Sequence, residues 1–214
     1  MRARCRDGAG ARRPDKHLIL FIAANPHGNG VLRLAEECAE IQREIALTPY
    51  RDDFAFASRW AVSIDDLMRQ LTEVTPTVIH FSGHGAADAG LVLQDERGQP
   101  QLVSGRALAM MIAATTSRVR AVVLNACHGA SQAEALLASV DCVVAMHGAI
   151  GDDAARAFAV RFYGALGNRR SIGNAVAHGI AALAARQLPD EVLPFCVGAA
   201  QRSPYEMFLS ELGA

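Results

Sequence analysis

Lysine is nearly missing from this 214-residue chain: of 21 basic residues only Lys16 is not arginine. That bias reads as genome composition. Net charge is −1, so the strong basic excess that nucleic acid or an anionic membrane would reward is missing too, and neither is an expected partner. No apolar run approaches the roughly 18 residues that a membrane span requires. The one segment resembling a leader core, HLILFIAA, is short and runs into the turn-like NPHGNG instead of a small-residue cleavage motif. Five cysteines are scattered without C-x-x-C spacing, an odd number that argues against a disulfide framework and for a reducing, cytoplasmic compartment. No Walker loop, G-x-S-x-G elbow or H-E-x-x-H pair occurs, which removes nucleotide hydrolysis, serine hydrolases and zincins as readings.

What is present is a composition of 51% hydrophobic and 20% charged residues, enough for one large domain with a good core. Residues 1–16 carry Arg2, Arg4, Arg6, Arg12, Arg13 and Lys16 without apolar periodicity and read as a basic tail or linker stub. The domain is expected over 17–200, with 201–214 as a C-terminal tail. Within it strands and helices alternate. HLILFIA is a buried strand, and 31–47 a helix with the stripe Leu34, Cys38, Ile41, Ile45. FAFASRW is a strand, and Ser63 with Asp66 opens a helix through Leu71. TVIHFS leads to a hairpin turning between Asp95 and Pro100, and Ser104 caps a helix to Ala114. AVVLNA and CVVAMHG are strands flanking a helix over 130–139; helices over 152–166 and 171–186 precede a last strand, VLPFCVG. Apolar strands separated by helices predict a mostly parallel sheet covered on both faces, with sites at the strand carboxyl ends.

Two stretches carry chemistry. TVIHFSGHG ends a strand at His84-Gly85, and AVVLNACHG ends another at Cys127-His128-Gly129. A thiol near pKa 8.5 needs a neighbouring base to become a nucleophile, and His84 supplies one on the same rim as Cys127. The backbone N–H groups of Gly85 and Cys127 offer an oxyanion hole. Either stretch alone fits an inert strand end; their pairing on successive central strands favours a dyad. His80 and His84 are four apart on a strand, about 13 Å, so they share no metal ion; His80 is expected as a core or supporting histidine. His128 is a pocket-wall residue, His147-Gly148 a weaker contender for the base, and Cys38, Cys142 and Cys196 core residues. Asn25, Pro26, Gly28 and Gly30 form a loop at the same rim, a cleft lining or a simple turn.

These residues resemble the caspase-like cysteine peptidases, a clan holding caspases, metacaspases, clostripain and separase, and within it the bacterial CHAT domain family. LFIAANPHGNGVLRL is similar to that family's first strand and loop. VIHFSGHG and VVLNACHG match its two catalytic strands, and AIGDDAARAFAVRFYGAL with RSIGNAVAHG resembles its closing helices, so the likeness spans about residues 17–198. The resemblance implies a caspase-like α/β fold, His84 as base and Cys127 as nucleophile; no cofactor is expected, and the histidine spacing predicts no metal, calcium activation as in some relatives being a separate alternative for which no Ca²⁺ loop is present. It implies a protein or peptide substrate, a bacterial defence or signalling setting, and a regulatory or adaptor protein as a further partner. CHAT domains usually stand beside other domains, so the chain reads as a minimal member or a piece of a longer protein. The substrate-facing position two before the nucleophile, acidic in metacaspase-like members, is Asn125 here and would make a neutral contact. In separase and CHAT-like relatives an aspartate reads a basic P1 residue; G-D-D-A-A aligns Asp152 there, with Asp153 the near alternative, and predicts cleavage after Arg or Lys. The competing role for Asp152 is a helix cap. The competing function is a catalytically silent or partner-activated interaction module.

Overall fold

The computed structural model describes residues 16–26, 32–86, 89–115 and 118–209. Six strands form one sheet: β1 (His17–Ala24), β2 (Phe54–Trp60), β3 (Val78–Gly83), β6 (Ala121–Asn125), β7 (Cys142–Met146) and β8 (Pro194–Gly198), in the order β2-β1-β3-β6-β7-β8. All neighbours are parallel except β7 and β8, which pair antiparallel. β4 (Leu91–Gln94) and β5 (Pro100–Val103) make the expected separate hairpin.

The period-two alternation of each strand sorts its side chains onto two cores. Ile19, Phe21 and Ala23 face one core, which α1 (Leu34–Ala46), α5 (Asp152–Leu166) and α6 (Ile172–Ala185) cover. Leu20, Ile22 and Ala24 face the other, covered by α2 (Ile64–Val74), α3 (Gly105–Thr115) and α4 (Ala130–Leu136). On the first face Phe158 and Phe162 of α5 are 0% and 1% exposed, each contributing about 1.5–3 kcal/mol by burial. The expected starts hold: Ser63 Oγ accepts from the Asp66 amide at 3.1 Å, and Ser104 Oγ from the Ala107 amide at 3.2 Å.

The domain does not stop at residue 200. Met207 and Leu209 are buried in the first core, and the Ile172 amide at the start of α6 donates to the Met207 carbonyl at 2.8 Å. The stretch expected as a tail is therefore packed as far as the described residues reach, because its apolar side chains, Met207 and Leu209 foremost, join the core that α6 covers and Tyr205 lies against Gly173 of that helix. Residues 1–15, read as a basic tail, lie outside the described residues, as do Gly28 and Gly30. No helix among the described residues is long and apolar enough to cross a membrane.

Candidate active site

β1 pairs β2 on one side and β3 on the other, so the chain changes winding direction between β1 and β3. In parallel sheets such a switch point opens a crevice beyond the strand carboxyl ends. Asn25 follows β1 and His84 follows β3, and they meet across that crevice: His84 Nε2 lies 3.2 Å from Asn25 Oδ1. Gln94, closing β4, fastens the same loop by donating to the Asn25 carbonyl at 3.3 Å.

On the other side of β3, Ser82 stands opposite Asn125 of β6 in register. His84 and Cys127 each lie two residues beyond that pair and share its face of the sheet. The approach of the two strand ends is close at Gly85. A methyl group there would overlap the Cys127 carbonyl oxygen and lie 3.0 Å from its carbonyl carbon and 3.3 Å from its amide nitrogen. Only a residue without a side chain lets these backbones touch. Gly85 also bridges Leu91, with the flanking bonds made by the His84 carbonyl (from Val92, 3.0 Å) and the Ala86 amide (to Gly90, 2.8 Å). That pattern leaves the Gly85 N–H outside the hairpin ladder.

Cys127 is half-buried, and its Sγ lies 3.9 Å from the Ile150 carbonyl, just ahead of α5. His128 takes φ 56°, a left-handed turn that swings the chain from β6 into α4, and its amide donates to the Gly148 carbonyl at 2.9 Å. Its side chain is exposed, as is that of His147, whose ring stacks on Phe195 with centroids 4.0 Å apart. The remaining described cysteines are set apart by their surroundings. Burial raises the Cys38 thiol above the ordinary range, pushes Cys196 up to about 11, and raises Cys142 further still. Cys5 lies outside the described residues.

Two expectations about substrate contacts change. Asn125 is 3% exposed and turns into the core: its amide donates to Glu37 Oε1 at 2.6 Å and to the Ala155 carbonyl at 3.1 Å. The inward face of β6 that presents Cys127 at the rim carries Asn125 beneath it, so Asn125 is not on the substrate surface. Asp152 opens α5 after Gly151, yet its oxygens are not spent on capping. Oδ1 accepts from the Arg33 amide at 3.3 Å and Oδ2 from Arg33 Nε at 2.8 Å, while Arg33 Nη2 donates to Asp153. These two carboxylates, Asp152 foremost, raise the Arg33 pKa further. Glu36 stands 3.9 Å from Arg33 Nη1 as another acceptor.

His80 is fully buried, hydrogen-bonded between Glu37 and Tyr163, and so supports the site from below without reaching it. Among the described residues no cluster of His, Cys, Asp or Glu is arranged to hold a metal ion. Two participants escaped sequence reasoning. Asn25 is expected from sequence as a cleft lining or a simple turn and not as the partner of His84, though its place after β1 at the switch point marks it. Glu37 interrupts the apolar stripe of α1, three residues after Leu34 and four before Ile41, and that misplaced carboxylate is the signal.

Comparison with known proteins agrees with the geometry. The CHAT domain family model matches residues 2–205. A curated relative, the Roc-COR-CHAT protease of an unknown prokaryotic organism, is 28% identical over 180 residues; these cover 81% of the chain but 17% of that protein. The chain thus spans about one sixth of its relative's length. Among solved structures, a secreted C11 cysteine protease from Bacteroides thetaiotaomicron bound to an irreversible peptide inhibitor superposes with a TM-score of 0.62 at 11% identity, covering 80% of this chain and 60% of that one. The Arg-specific cysteine proteinase gingipain R gives 0.58 at 12% identity, covering 87% and 47%. Both likenesses place the sheet among caspase-like folds.

Proposed function

Since the chain belongs to the CHAT domain family, we propose that it is a cysteine endopeptidase working through Cys127 and His84. The observation that carries this reading is the backbone contact of Gly85 with Cys127, which holds the ends of β3 and β6 together at the switch-point rim. Asn25, whose Oδ1 lies 3.2 Å from His84 Nε2, takes the orienting role that third residues play in catalytic triads. His84 takes the Cys127 proton, and the thiolate forms a C–S bond to the scissile carbonyl. The oxyanion is held by the N–H groups of Gly85 and Cys127. Collapse breaks the C–N bond as His84 returns the proton to the leaving amine; water, deprotonated by His84, then cleaves the thioester and restores the thiol.

Asp152 and Asp153 support a basic P1 preference because they already hold a guanidinium, that of Arg33, in charge-assisted bonds. A substrate arginine competes with Arg33, which has Glu36 as its alternative partner. The named composition of the curated relative, CHAT joined to Roc and COR, supports a setting in which a larger protein or an adaptor governs this activity, in bacterial signalling or defence.

The deciding experiment is limiting iodoacetamide followed by peptide mapping. Cys127 should be labelled ahead of Cys38, Cys142 and Cys196, and His84→Ala should slow that labelling about tenfold, as when a base-assisted thiolate reverts to an ordinary thiol. Equal labelling, or no effect of His84→Ala, would sink the dyad.

A further inference from the structure

The peptidase chemistry leaves one buried group unused. Glu37 of α1 is 2% exposed, and three side chains converge on its carboxylate. Ser82 Oγ donates to Oε2, Asn125 Nδ2 donates to Oε1 at 2.6 Å, and His80 Nε2 lies 3.0 Å from Oε1. His80 Nδ1 is in turn 3.1 Å from the hydroxyl of Tyr163 on α5. All four partners are buried, the most accessible at 3%. Burial, and next the Glu37 charge, raise the Tyr163 pKa well above the ordinary range, so its hydroxyl keeps its proton.

The places these partners hold in the sequence give the cluster its meaning. Ser82 precedes His84 by two residues, and Asn125 precedes Cys127 by two. Ser82 and Asn125 face each other in register, and theirs is the last pair of the β3–β6 ladder. Oε2 therefore grips the strand of His84 through Ser82, and Oε1 grips that of Cys127 through Asn125 while also reaching His80 one pleat lower on β3, so that one carboxylate joins both strands below the dyad. Beyond the Ser82–Asn125 pair the ladder ends, so the separation of the two strand ends rests on the Gly85–Cys127 contact above and on what holds the level beneath. A buried carboxylate on the core-facing side of α1, between Leu34 and Ile41, is costly compared with a well-packed apolar side chain, and stability alone does not account for it.

We infer that Glu37 is a positioning residue for the Cys127–His84 dyad, setting the distance between the two strand ends by bridging Ser82 and Asn125. Through Asn125, whose amide also donates to Ala155, the same carboxylate fixes the start of α5, and with it Asp152. The inference rests on the dyad reading of the active site.

The test measures the pH dependence of Cys127 alkylation in variants checked for folding by circular dichroism. Glu37→Ala releases both strands; labelling near neutral pH should slow by about tenfold to a hundredfold, the scale of a misplacement near 1 Å, with the midpoint of the pH profile displaced from its wild-type position. Glu37→Gln keeps an oxygen for Asn125 and His80 and offers its amide to the Ser82 hydroxyl, which can accept; most of the rate and the wild-type midpoint should return. A purely structural Glu37 would change the melting temperature and leave the profile in place. A folded Glu37→Ala variant with the wild-type profile overturns the inference. If that variant does not fold, Asn125→Ala decides, since it removes the carboxylate's hold on β6 and leaves Ser82 and His80 of β3 on the carboxylate. About three- to tenfold slower labelling is expected, and an unchanged rate refutes the clamp. A wild-type Cys127 that reacts no faster than in His84→Ala removes the dyad itself, a failure distinct from an inert Glu37 beside a working dyad.

Discussion

Replacing Gly85 by alanine puts the site's central contact under direct strain. The added methyl meets backbone, not a side chain that could swing away: the carbonyl oxygen of Cys127 lies within its volume and the carbonyl carbon 3.0 Å away. Gly85 does not adopt a left-handed φ, so the effect is one of space and not of torsion. Restoring ordinary contact requires β3 and β6 to part at the rim by about 1 Å. Overpacking of this kind costs about 1–3 kcal/mol, or roughly 2–10 °C in Tm for a domain of this size. The chemical cost is of similar size, about 2.7 kcal/mol, because a displacement near 1 Å between the proposed nucleophile and base is worth about a hundredfold in rate. Gly151→Ala is the matched control: a methyl there meets only Asp190 Oδ2 at 3.5 Å, an ordinary contact. Iodoacetamide labelling of Cys127, read by mass spectrometry beside a thermal melt, separates the two. Gly85→Ala should melt as a folded protein and lose most of its selective labelling, while Gly151→Ala keeps it. A folded Gly85→Ala variant that labels Cys127 within threefold of wild type would refute the reasoning.

Asp152→Asn should lower kcat/KM for an Arg-P1 peptide by about tenfold or more and leave Cys127 alkylation intact, as expected when a charge pair with substrate loses one partner; normal cleavage by the variant returns Asp152 to a structural role. Arg33→Ala removes the internal competitor, and because that pair is largely exposed, KM for the same peptide should fall by only about two- to fivefold, less at high salt. A KM that stays fixed in steady-state assays would mean that Arg33 and the substrate do not share these carboxylates.

The elements that dominate the fold were legible because they obey single periods. The short, β-branched apolar runs of β1, β3, β6 and β7, bounded by turn residues, fit strands buried on both faces, and the four-three-four spacing of Leu34, Cys38, Ile41 and Ile45 fits a helix on a core. His84 and Cys127 could be read as neighbours because a parallel sheet brings strand ends to one rim. What stayed hidden depends on pairs distant in sequence. Asn25 and His84 are 59 residues apart, Glu37 and Asn125 88, Arg33 and Asp152 119. Nothing local to Asn125 tells whether its amide looks outward to substrate or inward to a carboxylate on another helix, and nothing local to Asp152 announces an arginine already at hand. Met207 and Leu209 were misjudged for the same reason, since two apolar residues near an end have meaning only beside the α6 surface that receives them.

The Tyr163 link has a consequence in time. β1, α1, β3 and β6 are all complete in the chain by Cys127, yet the face bearing Glu37 stays open to water until α5 docks, more than twenty residues later. A growing chain that has emerged only that far holds both reactive residues but a solvated carboxylate, free to turn outward, and two strand ends without their brace. Docking of Phe158, Phe162 and Tyr163 expels that water and completes the brace in the same step. Completion of the brace beneath the proposed dyad is thereby tied to late tertiary closure, and a half-made or locally opened molecule lacks it.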